Sequence, residues 1–149
     1  MSAKRLWYLS GGMTKFGKEG FDESNNWRKR FQEKIAYLSN GEIVAFNPNA
    51  HFSCVTDPSE FTDREAMNID IFKLRKSELM IYWNNDPFSR GSMIEFGIAW
   101  ERRIPIITVN FEDKEIHPWV AAMSEKIITK DMDEEELFWY LEDHYMRLD

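Results

Sequence analysis

Leu79-Met80-Ile81-Tyr82-Trp83 runs into Asn84-Asn85-Asp86-Pro87-Phe88-Ser89-Arg90-Gly91 and, after Ser92, into Met93-Ile94-Glu95-Phe96-Gly97-Ile98-Ala99-Trp100. Five apolar residues without alternation are what a strand buried on both faces requires. The Asn, Asp, Pro and Gly that follow form turns, and the next apolar stretch reads as a helix over residues 92–102. Strand, loop and helix in that order form the unit of a parallel α/β sheet.

Working outward, residues 104–109 form a fourth strand, 117–124 a short helix, Lys126–Thr129 a fifth strand and 132–148 a terminal amphipathic helix. Toward the N-terminus, Asp57-Pro58 opens a helix whose core stripe is Met67, Ile71 and Leu74, proline suiting a first turn. Residues 49–57 have no period and read as an irregular loop. Residues 42–46 form a strand halted by Asn47-Pro48, and residues 22–26 offer N-caps for a helix through Trp27, Phe31, Ile35 and Leu38, stopped by Gly41. Residues 5–10 form the first strand, ended by Gly11-Gly12. This alternation predicts a single domain over residues 1–149, a five-stranded parallel sheet of flavodoxin- or Rossmann-like kind with helices on both faces. Ligands of such sheets gather at the carboxyl ends of the strands. Residues 10–13, 84–91 and 110–117 are thereby expected around one crevice.

The chain has 149 residues, 43% of them apolar, enough for one core. A formal net charge of −7 argues against a nucleic-acid polymer as partner, which needs a basic face. A single phosphate needs only a local nest of donors. The acidic run at residues 131–136 reads as a solvated helix start. One cysteine, Cys54, forms no internal disulfide and suits a reducing compartment. Lys4 and Arg5 precede too short an apolar run for a signal peptide, and no segment has the length of a membrane span, so a cytoplasmic protein is expected. His51, His117 and His144 lack metal-ligand spacing. No metal or cofactor is expected, and no serine stands in a Gly-x-Ser-x-Gly elbow.

Glu95 is the candidate nucleophile. It interrupts an apolar run near a helix start, where desolvation raises a carboxyl pKa and the helix N-terminus favours the anion. The plain alternative is an exposed Glu favouring the helix dipole. Asp70 falls beside the expected stripe of its helix, at the edge of the core; alone it reads as a partner of Lys73 or Arg75. Two carboxylates on successive helices can divide labour, one attacking carbon and one handling a proton. Tyr8, at the end of the first strand, can hydrogen-bond a carboxylate in the crevice or simply pack in the core. Gly11-Gly12 allows close backbone approach of a ligand, but the dinucleotide fingerprint is missing its third glycine.

With Tyr8-Leu-Ser-Gly-Gly-Met13, Asp70 and Gly91-Ser-Met-Ile-Glu95-Phe-Gly97-Ile-Ala99, the chain resembles the nucleoside 2-deoxyribosyltransferase family. The wider group includes the 2′-deoxynucleoside 5′-monophosphate N-hydrolases. The resemblance runs from the first strand to the fourth and is strongest over residues 70–109. It implies that Glu95 attacks the anomeric carbon to form a covalent glycosyl intermediate, that Tyr8 orients Glu95, and that Asp70 contacts the base and protonates it as it leaves. An acceptor base or water then takes the sugar. Ser10, Gly11, Gly12, Met13, Ser89, Arg90 and Gly91 are the implied substrate contacts, and a homo-oligomer is implied, with residues around 117–119 near a neighbouring subunit. Trp83, Trp100 and Trp119 suit such an interface or ordinary core packing.

Six residues before Glu95, where the transferases tend to carry an aspartate, this chain has Ser89. The monophosphate hydrolases are similar there, and Ser89-Arg90-Gly91 could form a phosphate nest. Transfer against hydrolysis, and nucleoside against nucleotide, both stay open at the level of sequence. A binding or sensing module on the same fold is a further alternative.

Overall fold

The computed structural model describes residues 4–12, 17–51 and 62–147. Five strands, β1 (Arg5–Gly11), β2 (Ile43–Phe46), β3 (Leu79–Trp83), β4 (Ile106–Asn110) and β5 (Lys126–Thr129), form one parallel sheet in the order β2-β1-β3-β4-β5. Five helices accompany them: α1 (Gly17–Leu38), α2 (Asp63–Lys76), α3 (Arg90–Glu101), α4 (Pro118–Met123) and α5 (Glu134–Leu141). A 3-10 turn (Pro48–His51) follows β2, and a π-helical turn (Glu142–Met146) continues α5. This is the expected flavodoxin-like sheet. No helix among the described residues is long and apolar enough to cross a membrane.

Side-chain alternation along β1 sorts the core into two layers. Trp7 and Leu9 join Trp27, Phe31 and Ile35 of α1 and Leu137, Phe138 and Leu141 of α5. Tyr8 points the other way, among Leu74 of α2, Phe96 and Ala99 of α3 and Val120 of α4. Trp83 belongs to the first layer: its ring stacks on Trp27 at 5.1 Å and meets Phe31 edge-on at 5.6 Å. Trp100 and Trp119 are exposed.

Several expected boundaries move for identifiable reasons. Helix α1 begins at Gly17, ahead of the anticipated caps, because Ser24 and Asn25 take tertiary partners instead of capping. Ser24 Oγ accepts from Asn49 Nδ2 at 3.4 Å as well as from Arg28 one turn on, and Asn25 Oδ1 accepts from Asn47 Nδ2 at 2.9 Å. The helix ends at Leu38, and Gly41, whose φ of +77° a side chain would resist, closes the turn after it by donating its N–H to the Ala36 carbonyl at 2.8 Å. Helix α2 starts at Asp63, where Thr62 and Glu65 form a reciprocal capping box; the expected opening at Asp57-Pro58 lies outside the described residues. Its expected apolar stripe is core only in part: Leu74 is buried, with Ala66 beside it, while Ile71 is partly buried and Met67 half exposed. The terminal helix is not one amphipathic α-helix. Asp133 caps α5, confirming a solvated acidic start, but after Leu141 the helix widens where the His144 ring stacks on Tyr140 at 4.0 Å.

From β1 the chain goes outward to β2 and then returns to β3 on the other side of β1. Loops leaving β1 and β3 therefore diverge, opening a crevice at the carboxyl ends of these two strands.

Candidate active site

A cavity of about 510 Å³ occupies this switch point, lined by Gly11 and Gly12 at the end of β1, Ala66, Met67, Asp70 and Ile71 from α2, Asp86, Phe88 and Ser89 from the β3–α3 connection, and Arg90, Gly91, Ser92, Ile94 and Glu95 from α3. Asp70, Glu95, Gly11, Gly12, Ser89, Arg90 and Gly91 are thus brought together. Tyr8 and Ser10 lie beneath them, fully buried. Met13 lies outside the described residues, as does Cys54. Residues 110–117 do not line the cavity as expected. They fold back to brace it: Asn84 Nδ2 donates to Asn110 Oδ1 and the Glu115 carbonyl, each at 3.1 Å, and Lys114 Nζ donates to the Asn85 carbonyl at 2.5 Å.

Glu95 sits in the second turn of α3, not the first, because the helix begins at Arg90 with Ser89 as its N-cap. The helix N-terminus is therefore not its support. Its carboxylate instead accepts a hydrogen bond from the Tyr8 hydroxyl on Oε2 and from Ser10 Oγ at 3.0 Å on Oε1. Burial pushes the Glu95 pKa up; Tyr8, the Arg28 charge and Ser10 oppose that rise. Asp70 faces the same cavity with its Oδ1 buried and without a hydrogen-bond partner among the described residues. Burial and the neighbouring Glu95 charge push it from 3.8 up to about 7, against the pull of Arg28. Burial, Glu95 and Asp70 together hold the Tyr8 phenol well above its ordinary value, so it remains a donor. The two carboxyl groups therefore differ in support: Glu95 has two hydroxyl donors and a cation, Asp70 the cation alone. That division favours Glu95 as the carboxyl that gives up its proton first and Asp70 as the one that keeps its proton longer.

Gly12 is fastened by Asn85, whose side-chain amide mimics a strand: the Gly12 N–H donates to Asn85 Oδ1 at 2.9 Å and Asn85 Nδ2 donates to the Gly12 carbonyl at 3.1 Å. A Cβ at Gly12 would stand 3.0 Å from Asp86 Cβ, so a side chain there would crowd the pocket wall and force Asp86 to shift. Asp86 is buried in the pocket wall, and its Oδ1 accepts from the Phe88 N–H at 3.0 Å. Ser89 Oγ accepts from the Ser92 N–H at 3.3 Å and donates to Ser92 Oγ at 2.9 Å, so its hydroxyl is engaged in capping. Arg90 is exposed at the start of α3 and makes no ion pair among the described residues. His117 caps α4, its Nδ1 accepting from the Trp119 N–H at 3.1 Å. No group of three or more His, Cys, Asp or Glu able to hold a metal occurs among the described residues.

Three solved structures share this architecture. A conserved protein from Enterococcus faecalis superposes with a TM-score of 0.70 at 14% identity, covering 95% of this chain and 99% of its own. A 2-deoxyribosyltransferase from Bacillus psychrosaccharolyticus gives 0.65 at 12% identity over 89% of each chain. One from Leishmania mexicana gives 0.58 at 16% identity, covering 95% of this chain and 99% of its own. The chain has the fold of the 2-deoxyribosyltransferases. No family model matches the sequence, and no curated protein matches it.

Within this 2-deoxyribosyltransferase-like fold, the largest feature that sequence reading missed is Arg28. It is fully buried, which a lone Arg between Trp27 and Lys29 does not advertise. Its position one residue after the apolar stripe of α1 was the available signal. Asp86 stands in the pocket wall, within the 84–91 stretch expected at the crevice, although its spacing gave it no assigned role. Asn85 was missed because turn asparagines are common and its partner is 73 residues away.

Proposed function

We propose that the chain is an enzyme that cleaves the N-glycosidic bond of 2′-deoxynucleosides and transfers the deoxyribosyl group to a second base through a glycosyl–Glu95 intermediate. The observation that carries this reading is the pairing of Glu95, held by Tyr8 and Ser10, with a proton-retaining Asp70 in one cavity. A Glu95 carboxylate oxygen bonds to the anomeric carbon while the electrons of the C–N bond leave with the base. Asp70 gives its proton to that base. In the return step a nitrogen of the acceptor base displaces the Glu95 carboxylate, and Asp70 takes back a proton. Two displacements retain configuration. Met67, Ile71, Phe88 and Ile94 give the cavity apolar walls suited to the planar base. The two neighbours named as 2-deoxyribosyltransferases support transfer as the outcome.

A second reading, hydrolysis of 2′-deoxynucleoside 5′-monophosphates to free base and deoxyribose 5-phosphate, is favoured by Ser89 and the exposed Arg90 at the cavity edge. Chromatography of products from deoxynucleosides and their 5′-monophosphates, with and without a second free base, separates the two. A new nucleoside formed only with the acceptor supports transfer. Free base released from monophosphates regardless of acceptor supports hydrolysis. Binding without turnover of any substrate sinks both and leaves a sensing module. Glu95→Ala should remain folded and bind substrate but form no covalent sugar adduct; wild-type turnover by this variant would remove Glu95 from the mechanism. The reading includes self-association, supported by the exposed Trp100 and Trp119; a purely monomeric species in sedimentation velocity would remove that part.

A further inference from the structure

The geometry points to Arg28 as a positioning residue for Glu95, one that clamps the backbone on either side of Ser10 and supplies the buried positive charge that Glu95 faces across β1. Its catalytic meaning rests on the nucleophile reading of Glu95, but its physical content does not. Strand β2 ends at Phe46, opposite Tyr8, so the last residues of β1 have no strand partner on that side. Arg28 reaches these residues from α1. Its Nε donates to the Leu9 carbonyl at 3.2 Å and its Nη2 to the Gly11 carbonyl at 2.9 Å. Nη1 donates to the Ser24 carbonyl at 3.3 Å and to Ser24 Oγ.

Ser10 lies between the two clamped carbonyls, and its hydroxyl donates to Glu95. Fixing Leu9 and Gly11 therefore fixes the donor between them. Only a planar fork spans two carbonyls in this way; a lysine is a point charge.

The same residue poses an electrostatic problem. Among the described residues its hydrogen-bond acceptors are all neutral oxygens. They take four of its five N–H groups but leave a buried cation, which costs several kcal/mol when uncompensated. Burial lowers the guanidinium pKa, and Glu95, then Tyr8, then Asp70 act in the opposite sense. Glu95 is thus the leading counter-charge, reached through β1 without a direct ion pair. The groups that face Glu95 are Tyr8 from β1, Asp70 from α2, Asp86 from the β3–α3 connection, Arg90 at the start of α3, and Arg28 from α1. Of the two cations, Arg90 is solvent-exposed and screened, so the buried Arg28 dominates.

Carboxyl carbon-13 NMR titrations of the wild type, Arg28→Lys and Arg28→Gln test this, with Glu95→Gln and Asp70→Asn assigning the signals. Arg28→Gln should raise the Glu95 midpoint by about one pH unit, a tenfold gain in proton affinity. Arg28→Lys should hold that midpoint near wild type, because the charge is kept, while kcat falls because the clamp is lost. A folded Arg28→Gln protein with an unchanged Glu95 midpoint overturns the assignment. Should that variant not fold, the wild-type titration decides. Glu95 ionising at lower pH than Asp70 supports the role, and the reverse order overturns it. The titration needs no turnover, so a shift in a chain that transfers no deoxyribose would count against the proposed reaction and leave Arg28 in place.

Discussion

Replacing the Tyr8 hydroxyl by hydrogen, as in Tyr8→Phe, removes the donor that Glu95 Oε2 accepts from. A hydrogen bond to a charged group contributes about 1.5–3 kcal/mol, so the change should lower kcat roughly 10- to 100-fold. The sign of the pH effect follows from burial. Glu95 already sits above its ordinary pKa, and losing Tyr8 raises it further, so the acid limb of kcat/KM should move to higher pH. An unmoved acid limb would show that Tyr8 does not act on Glu95. Legibility at this scale was uneven. Tyr8 and Glu95 stood out in the sequence because a polar group inside an apolar run is conspicuous, and Asp70 only once it was set beside Glu95. Arg28 did not, because a cation next to a helix stripe usually snorkels to water. Only its contact with the Leu9 and Gly11 carbonyls shows that it is buried.

The connection from β3 to α3 carries two functions that a single residue reconciles. Ser89 caps α3, and the loop it ends forms one lip of the cavity. Ser89→Ala should cost about 1 kcal/mol by removing the cap, whereas aspartate also caps helices. Ser89→Asp therefore preserves the element while placing a negative charge at the cavity edge. Its expected outcome is a melting temperature near wild type and a lower ratio of 5′-monophosphate to free-nucleoside kcat/KM. A ratio that does not change would dissociate the loop from phosphate recognition. Helix α2 shows where pattern reading fails for elements. Its period was visible, but Met67 and Ile71 face a cavity, and apolarity marks a ligand wall and a core equally well.

The whole molecule stores part of its stability against its own site. Asp70 titrates from 3.8 ordinarily to about 7 in the fold, so the folded state holds its proton more tightly than the unfolded chain. That contribution is fully present below about pH 4 and is lost as pH rises to about 7. Asp70→Asn should accordingly gain stability relative to wild type across this interval and keep a constant advantage above it, as measured by urea unfolding at several pH values. A gap independent of pH would mean that Asp70 is not desolvated in solution. By itself the sequence determined the number, order and parallel arrangement of the elements, since apolar runs and turn residues act over a few positions. It also pointed to the carboxyl ends of the strands as the place of the crevice, though not to which loops line it. The tertiary structure alone decided which groups meet there: Tyr8 reaches Glu95 across 87 positions, and Asn85 reaches Gly12 across 73. Burial and charge pairing are properties of that convergence, so the proton affinities of Glu95 and Asp70 exist only once the sheet has assembled.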